Sequence, residues 1–490
     1  MTRSQLPAPA AAWAAGLDRL WSGRPLVLLV ERLGTTTDAL VREAESVGAR
    51  VLGVVAGGGT ARPGAVPVFH ALGAAGFDRT AFARALTAPS PALRQWFDVL
   101  DPEGAALVLA TNQTEAATVC ERPVHGRRLP SWAVWEDKTL VDKLWQQAGV
   151  PTAPHRVTTL DEERIREHAQ DLDAGAGVVL AMDSSTGHRG DSLGLAWLHN
   201  ADQIGPAVRA WHGRTHKVRI TPYLSGVPYS VLGLVTAGGV AVFDPIEIVT
   251  LRSARDRRFV FCGSATTWRP GPDVADAIRD QAARAGAELA ARNGYRGMFS
   301  VDGISTPDGC FPTELNPRQA SGLGLRAAWP DFPVYLFNRA IQAGVPEFDT
   351  LRPAEVEHQI RRATAARPSL SVRLPLPAGR RTGRSGGATR VLVSGTTHWA
   401  EWAVTDGSLT LRHISGDAGP HAVTGPVLAR LADSFGLDLH SHDTRPVLER
   451  SSLLGRGDWC CVFPGDNPRT PGRKAGGPGS PARTSRSRAQ

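Results

Sequence analysis

"VDGISTPDGCFPTELNPR", residues Val301 to Arg318, decides how the rest of the chain is read. Two runs of strand character flank Pro307-Asp308-Gly309. Proline presets φ for a turn, aspartate tolerates tight backbone, and glycine supplies the conformations other residues resist. The stretch predicts an antiparallel hairpin with strands over 298–304 and 310–315. Alternate side chains of an extended segment share a face, so Glu314, Asn316 and Arg318 point the same way. The partner strand sets Asp302 beside them. A solvated strand face shows the same alternation, so the case for a site rests on the chemistry of the set.

That chemistry is specific. Asp302, Glu314 and Asn316 offer hard oxygen donors, the kind Mg²⁺ takes together with phosphate oxygens and water. Two carboxylates on neighbouring strands repel unless a cation lies between them. Arg318, two residues further on, can reach an anion held by such a cation, a phosphoryl group for example.

Working outward, "PLVLLVERLGTTTDALVREAESVGARVLGVVAGGG" (25–59) reads as strand, helix, strand, with Thr36 or Thr37 as a helix cap. "GAALVLATN" (104–112) adds a buried strand, so the leading region predicts an open α/β domain with a parallel sheet. Gly57, Gly58 and Gly59 read as a loop after the second strand. "EDKTLVDKLWQQAGVP" (136–151) predicts a helix with Leu140, Leu144 and Trp145 on one side, ended at Gly149. "GVVLAMDSSTGHRGDSLGLAWL" (177–198) predicts strand, small polar turn, strand. "HKVRITPYLSGVPYSVLGLVTAGGVAVFDPIEIVTL" (216–251) supplies further strands, and a helix follows over 275–292. The last region carries a strand pair turned at Asp406-Gly407 and a helix in "TGPVLARLADSFG" (424–436).

The hairpin resembles the metal-binding hairpin of the ATP-grasp superfamily, which carries an acidic residue and then an E-x-N-P-R element. "EDKTLVDKLWQQAGVP" resembles that family's lysine-bearing helix and Gly-Val-Pro exit, which implies that Lys138 contacts nucleotide phosphates. By the same resemblance Ser184, Ser185, Thr186 and Gly187 belong to a phosphate-covering loop. Thr221, Pro222, Tyr223 and Leu224 fall where the family holds adenine through the backbone of a hinge. The resemblance runs from about residue 131 to 326, with the leading α/β region in the place of the family's preceding domain. Departures are visible too. The family's second lysine would fall at Ala181 or Met182, and Arg189 in the loop is a candidate replacement cation. Pro228 stands where a ribose-binding glutamate is common, and Glu247 is either a substitute acid or a buried strand residue with a partner.

Composition sets bounds. The chain has 490 residues, 42% hydrophobic and 21% charged, the profile of a multidomain globular protein. Its net charge of +8 misleads, because six basic residues and no acidic one fall in Asn467–Gln490. That segment has almost nothing apolar to bury and is expected to be a disordered basic tail. Nucleic acid is therefore not an expected partner of the body. Five cysteines (Cys120, Cys262, Cys310, Cys460 and Cys461) form no C-x-x-C pair or zinc spacing, which suits a reducing compartment. No run approaches the roughly 20 apolar residues of a membrane helix. The "LHSHD" stretch (439–443) is read as a solvated loop.

The expectations are these. Residues 1–130 form an N-terminal α/β domain, 131–345 the ATP-grasp domain, 346–465 a small α+β region, and 466–490 the tail. The resemblance implies a cytoplasmic ATP-dependent carboxylate–amine ligase working on amino acids or a short peptide through an acyl phosphate. Its cofactors would be ATP and Mg²⁺, with Mn²⁺ as a substitute, its partners a small-molecule carboxylate and an amine, with a homodimer left open. Asp302, Glu314 and Asn316 would hold the metal, with Arg318 and Arg189 as catalytic cations. Two alternatives stand beside it: a small-molecule kinase or carboxylase on the same fold, and a non-catalytic nucleotide binder.

Overall fold

The structure is a computed structural model. It describes residues 6–60, 66–73, 77–110, 115–187, 192, 194–253, 258–320, 324–376, 386–393, 396–405, 407–416 and 423–441.

The leading region folds because its strands are apolar on both faces. Pro25–Val30 and Arg50–Ala56 pair in parallel, flanked by Leu107–Ala110 and Val68–His70. Leu26, Leu28 and Val30 pack under the helices Ala8–Trp21 and Thr35–Ser46. Val27 and Leu29 meet Phe82, Leu86, Leu93 and Phe97 from the helices Arg79–Thr87 and Pro91–Leu100 on the other side. Those two helices start where their caps dictate. Asp78 accepts from Ala81 N at 2.6 Å, and Ser90 accepts from Leu93 N at 3.2 Å. The expected cap at Thr36 or Thr37 is not the one used. Gly34 precedes the helix, and Thr37 Oγ1 donates back to the Arg32 carbonyl. Gly57 packs closely, since a Cβ there would lie 2.8 Å from both the Glu31 carbonyl and the Phe77 ring.

A second, antiparallel sheet runs Arg156–Thr159, Lys217–Pro222, Val178–Met182, Leu195–Leu198. One face is core: Leu180, Met182, Val218 and Ile220 pack under the helices Glu162–Leu172 and Ile204–Trp211. Strand alternation sends the intervening residues to the opposite face.

Among the described residues, the largest sheet has eleven strands. The hairpin strands Gly297–Thr306 and Gly309–Asn316 form one edge, followed by Val227–Thr236, Ile246–Ser253 and Phe259–Ala265. The helix Pro272–Asn293 lays Ile278, Ala282, Ala285 and Leu289 on Val231, Val235, Phe299 and Val301. Strands after residue 346, in the expected small α+β region, continue this same sheet. Leu370–Pro375 pairs with Phe259–Ala265, and Ser408–Gly416, Thr396–Thr405 and Gly386–Val393 follow outward. A core cluster also joins the leading helices to the sheet, through Phe337 and Ile341 of the helix Val334–Gln342, Met298 and Leu234. Backbone pairing and apolar burial both run across the sequence positions 130 and 345.

Cys120, Cys262 and Cys310 are free and buried. Cys460, Cys461 and the basic tail lie outside the described residues. No helix among the described residues is long and apolar enough to cross a membrane.

Candidate active site

The hairpin forms as its turn predicts, and its register puts Asp302 opposite Glu314 and Ser300 opposite Asn316. The pairing slips between Asp302 and Gly303. Only a residue without Cβ fits at Gly303, because a Cβ there would sit 2.5 Å from the Tyr229 ring and 2.6 Å from the Phe311 carbonyl.

Asp302 is the most constrained group. Its carboxylate accepts from Ser230 Oγ at 2.6 Å and from Asn316 Nδ2 at 3.0 Å. Burial, and then the charge of Glu314, push its pKa up to about 7. Glu314 Oε2 lies 2.8 Å from Lys138 Nζ. Arg318 donates from Nη2 to Asn316 Oδ1 at 2.9 Å and from Nε to Glu136 Oε1 at 2.7 Å. Glu136 also pairs with Arg128 at 3.0 Å. Burial alone would lower the Arg318 pKa, but the charges of Glu136 and Glu314 hold it above its ordinary value. Asp302, Glu314, Asn316, Arg318 and Lys138 therefore share one cleft. The amide of Asn316 turns its oxygen to Arg318 and its nitrogen to Asp302, an arrangement the spacing could not show. No group of three or more His, Cys, Asp or Glu side chains poised to hold a metal occurs among the described residues.

Lys138 does not sit in a helix, as the sequence predicts. It falls between a short 3₁₀ turn, Val134–Glu136, and the helix Val141–Gln147. Asp137 explains the break: its Oδ1 accepts from both Thr139 N and Thr139 Oγ1 at 2.8 and 2.6 Å. Asp137 Oδ2 also accepts from Ser184 N at 2.8 Å, which ties the lysine segment to the loop after Val178–Met182. Gly149 ends the helix region with φ of 64°.

The base of the loop Ser184–Gly187 is anchored. Ser185 donates from Oγ to Asp183 at 2.6 Å, and the same carboxylate takes Lys217 N at 2.7 Å. Burial would raise the Asp183 pKa; these hydrogen bonds hold it below the ordinary value. Thr186 Oγ1 donates to the Arg214 carbonyl. Arg189 lies outside the described residues.

Thr221, Pro222, Tyr223 and Leu224 line the same cleft. Tyr223 N donates to the Gly177 carbonyl at 2.9 Å, and its ring stacks on Trp197 at 4.6 Å. The Arg252 guanidinium lies over both rings, 4.9 Å from Trp197 and 5.3 Å from Tyr223. Sequence reading missed Arg252, Ser230, Glu136 and Arg128. Apart from the Arg128–Glu136 pair, which is local, their partners lie far along the chain, so spacing carries no signal for them. Glu247 is the buried strand residue of the two readings, with 1% exposure. It accepts from Thr424 N, and from Gly425 N at 2.7 Å, capping the helix Thr424–Ser434 rather than serving the cleft. His440 forms a short edge strand next to Arg252 and bonds Asp438 at 3.0 Å; His442 and Asp443 lie outside the described residues.

No protein-family model matches the chain. It is 26% identical over 206 residues to the D-alanine–D-alanine ligase of Mycobacterium ulcerans (strain Agy99), covering 40% of this chain and 52% of that one. It is 29% identical over 130 residues to the D-alanine–D-alanine ligase of Syntrophobacter fumaroxidans, covering 26% of this chain and 38% of that one. The chain thus spans about half the length of these relatives, or less. Among solved structures, a biotin carboxylase–β,γ-ATP complex from Campylobacter jejuni superposes with a TM-score of 0.50 at 12% identity. That match covers 80% of this chain and 92% of the other. The biotin carboxylase domain of the Hydrogenobacter thermophilus 2-oxoglutarate carboxylase gives 0.50 at 15% identity, over 80% and 86%. The chain therefore shares the fold of these solved structures.

Proposed function

We propose that the protein is a cytoplasmic ATP-dependent carboxylate–amine ligase acting on amino acids or a short peptide. The observation that carries this reading is the row Asp302, Glu314, Asn316 and Arg318, set against Lys138 in one cleft. The D-alanine–D-alanine ligases among its sequence relatives support formation of a C–N bond.

A carboxylate resists attack because its leaving group would be an oxide. Transfer of the γ-phosphoryl group of ATP to a carboxylate oxygen gives an acyl phosphate and ADP. The amine then attacks the acyl carbon, phosphate leaves, and the amine proton is lost to solvent or a base. Lys138 and Arg318 supply fixed positive charge where charge accumulates on the phosphoryl oxygens. In the structure each already pairs with a carboxylate, so neither must be recruited from solvent. The loop from Ser184 to Gly187, continued through Arg189, would cover the phosphates and exclude water from the acyl phosphate.

The donor set fits a divalent cation. Asp302 and Glu314 are facing carboxylates, one of them held near neutrality by burial and its neighbour's charge, and a cation between them relieves both. Asp302 and Glu314 would hold Mg²⁺ or Mn²⁺, and Asn316, whose nitrogen faces Asp302 and whose oxygen faces Arg318, would join them once its amide turns over. A metal held there would supply positive charge against that of the phosphate chain. For the base, Pro222 has no N–H and Tyr223 N is already bonded, which leaves Leu224 N–H as the hinge donor.

The test is incubation with ATP, Mg²⁺, hydroxylamine and a panel of amino acids. Hydroxamate formed with ADP release supports the ligase. ADP release with no hydroxamate for any of these carboxylates moves the reading to carboxylation or small-molecule phosphorylation.

A further inference from the structure

The strands Val178–Met182 and Lys217–Pro222 pair so that Ala181 faces Arg219 and Val179 faces Thr221. These four residues line the cleft, while Leu180, Met182, Val218 and Ile220 fill the core behind them. Among the four, Arg219 carries the charge. Its side chain is 4% exposed, and it grips Asp142 with Nε at 2.6 Å and Nη2 at 2.8 Å. Nη1 makes no hydrogen bond with a described residue.

A buried ion pair is a costly way to build a wall. Desolvating both charges offsets most of their attraction, and apolar residues of similar volume would pack at least as well, as they do on the other face of this sheet. What the pair provides is a guanidinium fixed in one orientation at the surface of a cleft. Asp142 lies four residues beyond Lys138, at the start of the helix Val141–Gln147. The same short segment therefore places Lys138 and orients Arg219. The residue opposite Arg219 is alanine, which leaves room for a ligand in front of the guanidinium. Facing side chains on paired strands have Cβ atoms about 5 Å apart, so a cation at either position would reach the same space.

We propose that Arg219 binds the phosphate chain of the nucleotide, doing from the neighbouring strand what a cation at Ala181 would do. The proposal rests on the nucleotide-dependent function above. The strand pair supplies a positive charge on one face, and it is indifferent to which of the two facing positions carries it.

The test compares MgATP with adenosine by titration calorimetry, since adenosine lacks the phosphates. The variants are Arg219→Gln, the double variant Asp142→Asn/Arg219→Gln, and Arg219→Gln/Ala181→Lys. The Asp142→Asn/Arg219→Gln variant removes both buried charges together, and partly exposed His155, 3.4 Å from Asp142 Oδ2, keeps an amide to face, so the variant reports even where Arg219→Gln alone fails to fold. The expected result is MgATP affinity weakened at least about tenfold, the weight of one hydrogen bond to a charged group, with adenosine affinity unchanged. Arg219→Gln/Ala181→Lys should regain MgATP affinity. Unchanged MgATP affinity overturns the proposal. So does an equal fall for MgATP and adenosine, which would show that the pair only braces one sheet against the helix. A parent protein that binds no MgATP sinks the ligase reading itself, and this proposal with it.

Discussion

Replacing Glu314 by glutamine changes one charge and almost no volume, so its consequences can be worked from the geometry. Glu314 pairs with Lys138 at 2.8 Å, with side-chain exposures of 20% and 8%. Removing one partner of a fully buried pair costs about 3–5 kcal/mol. Glutamine keeps an oxygen for the lysine and the carboxylate is partly solvated, so about 1–2 kcal/mol is expected here. Relief of Asp302 acts the other way. The Asp302 carboxyl is pushed up to about 7, chiefly by burial and then by Glu314. A folded-state pKa above the unfolded value gives stability that is complete near pH 4 and lost as pH rises through about 7. With Glu314 neutral, the upper edge of that window moves down, while burial keeps it above the ordinary carboxylate range. Net stability should therefore change by no more than about 1 kcal/mol at pH 7. Turnover should fall by about three orders of magnitude or more, because a ligand of the proposed metal site is lost; that is about 4 kcal/mol of transition-state stabilisation. The assays are coupled ADP release across a Mg²⁺ titration, thermal unfolding from pH 4 to 8, and NMR titration of the Asp302 carboxyl. Turnover within about threefold of the parent, in a folded variant, would refute the metal assignment.

Other expectations are simpler. Glu247→Gln should lower stability by about 1–2 kcal/mol, since its charge caps the helix Thr424–Ser434, and leave ATP turnover unchanged; thermal melts and ADP release check both. Gly303→Ala forces a methyl into the Tyr229 ring and should destabilise by about 2 kcal/mol or more while displacing Asp302, seen as a lower melting temperature together with weaker Mg²⁺ dependence. Arg189→Ala should weaken ATP binding or slow phosphoryl transfer and Arg189→Lys retain part of the activity; parent-like behaviour of both removes Arg189 from the site. Deleting residues 467–490 takes away no periodic apolar position, so melting temperature and ATP turnover should stay within error.

Turn chemistry and strand periodicity were legible in the sequence. The turn Pro307-Asp308-Gly309 and the two-residue alternation of Glu314, Asn316 and Arg318 act over a few bonds and form the hairpin, while the register slip at Asp302 and Gly303, packed against Tyr229 of the neighbouring strand, sets Asp302 opposite Glu314. The continuous apolar runs of the leading region call for helices on both sides, and both sides are covered. Local competition was the harder case. Asp137 draws Thr139 into its own hydrogen bonds and delays the helix expected to carry Lys138. Tertiary structure alone decided the remainder. Glu247 finds its partners at Thr424 and Gly425, Arg318 finds Glu136, and Arg219 finds Asp142 across 77 residues. A charged residue on a strand can face solvent, a partner or a ligand, and its neighbours in sequence do not distinguish these. The strands after residue 346 likewise needed an open edge to pair with, which only the folded sheet provides. Side-chain direction follows from backbone period, but what stands opposite a side chain is settled by long-range packing, and the chemistry of this cleft lies in those opposites.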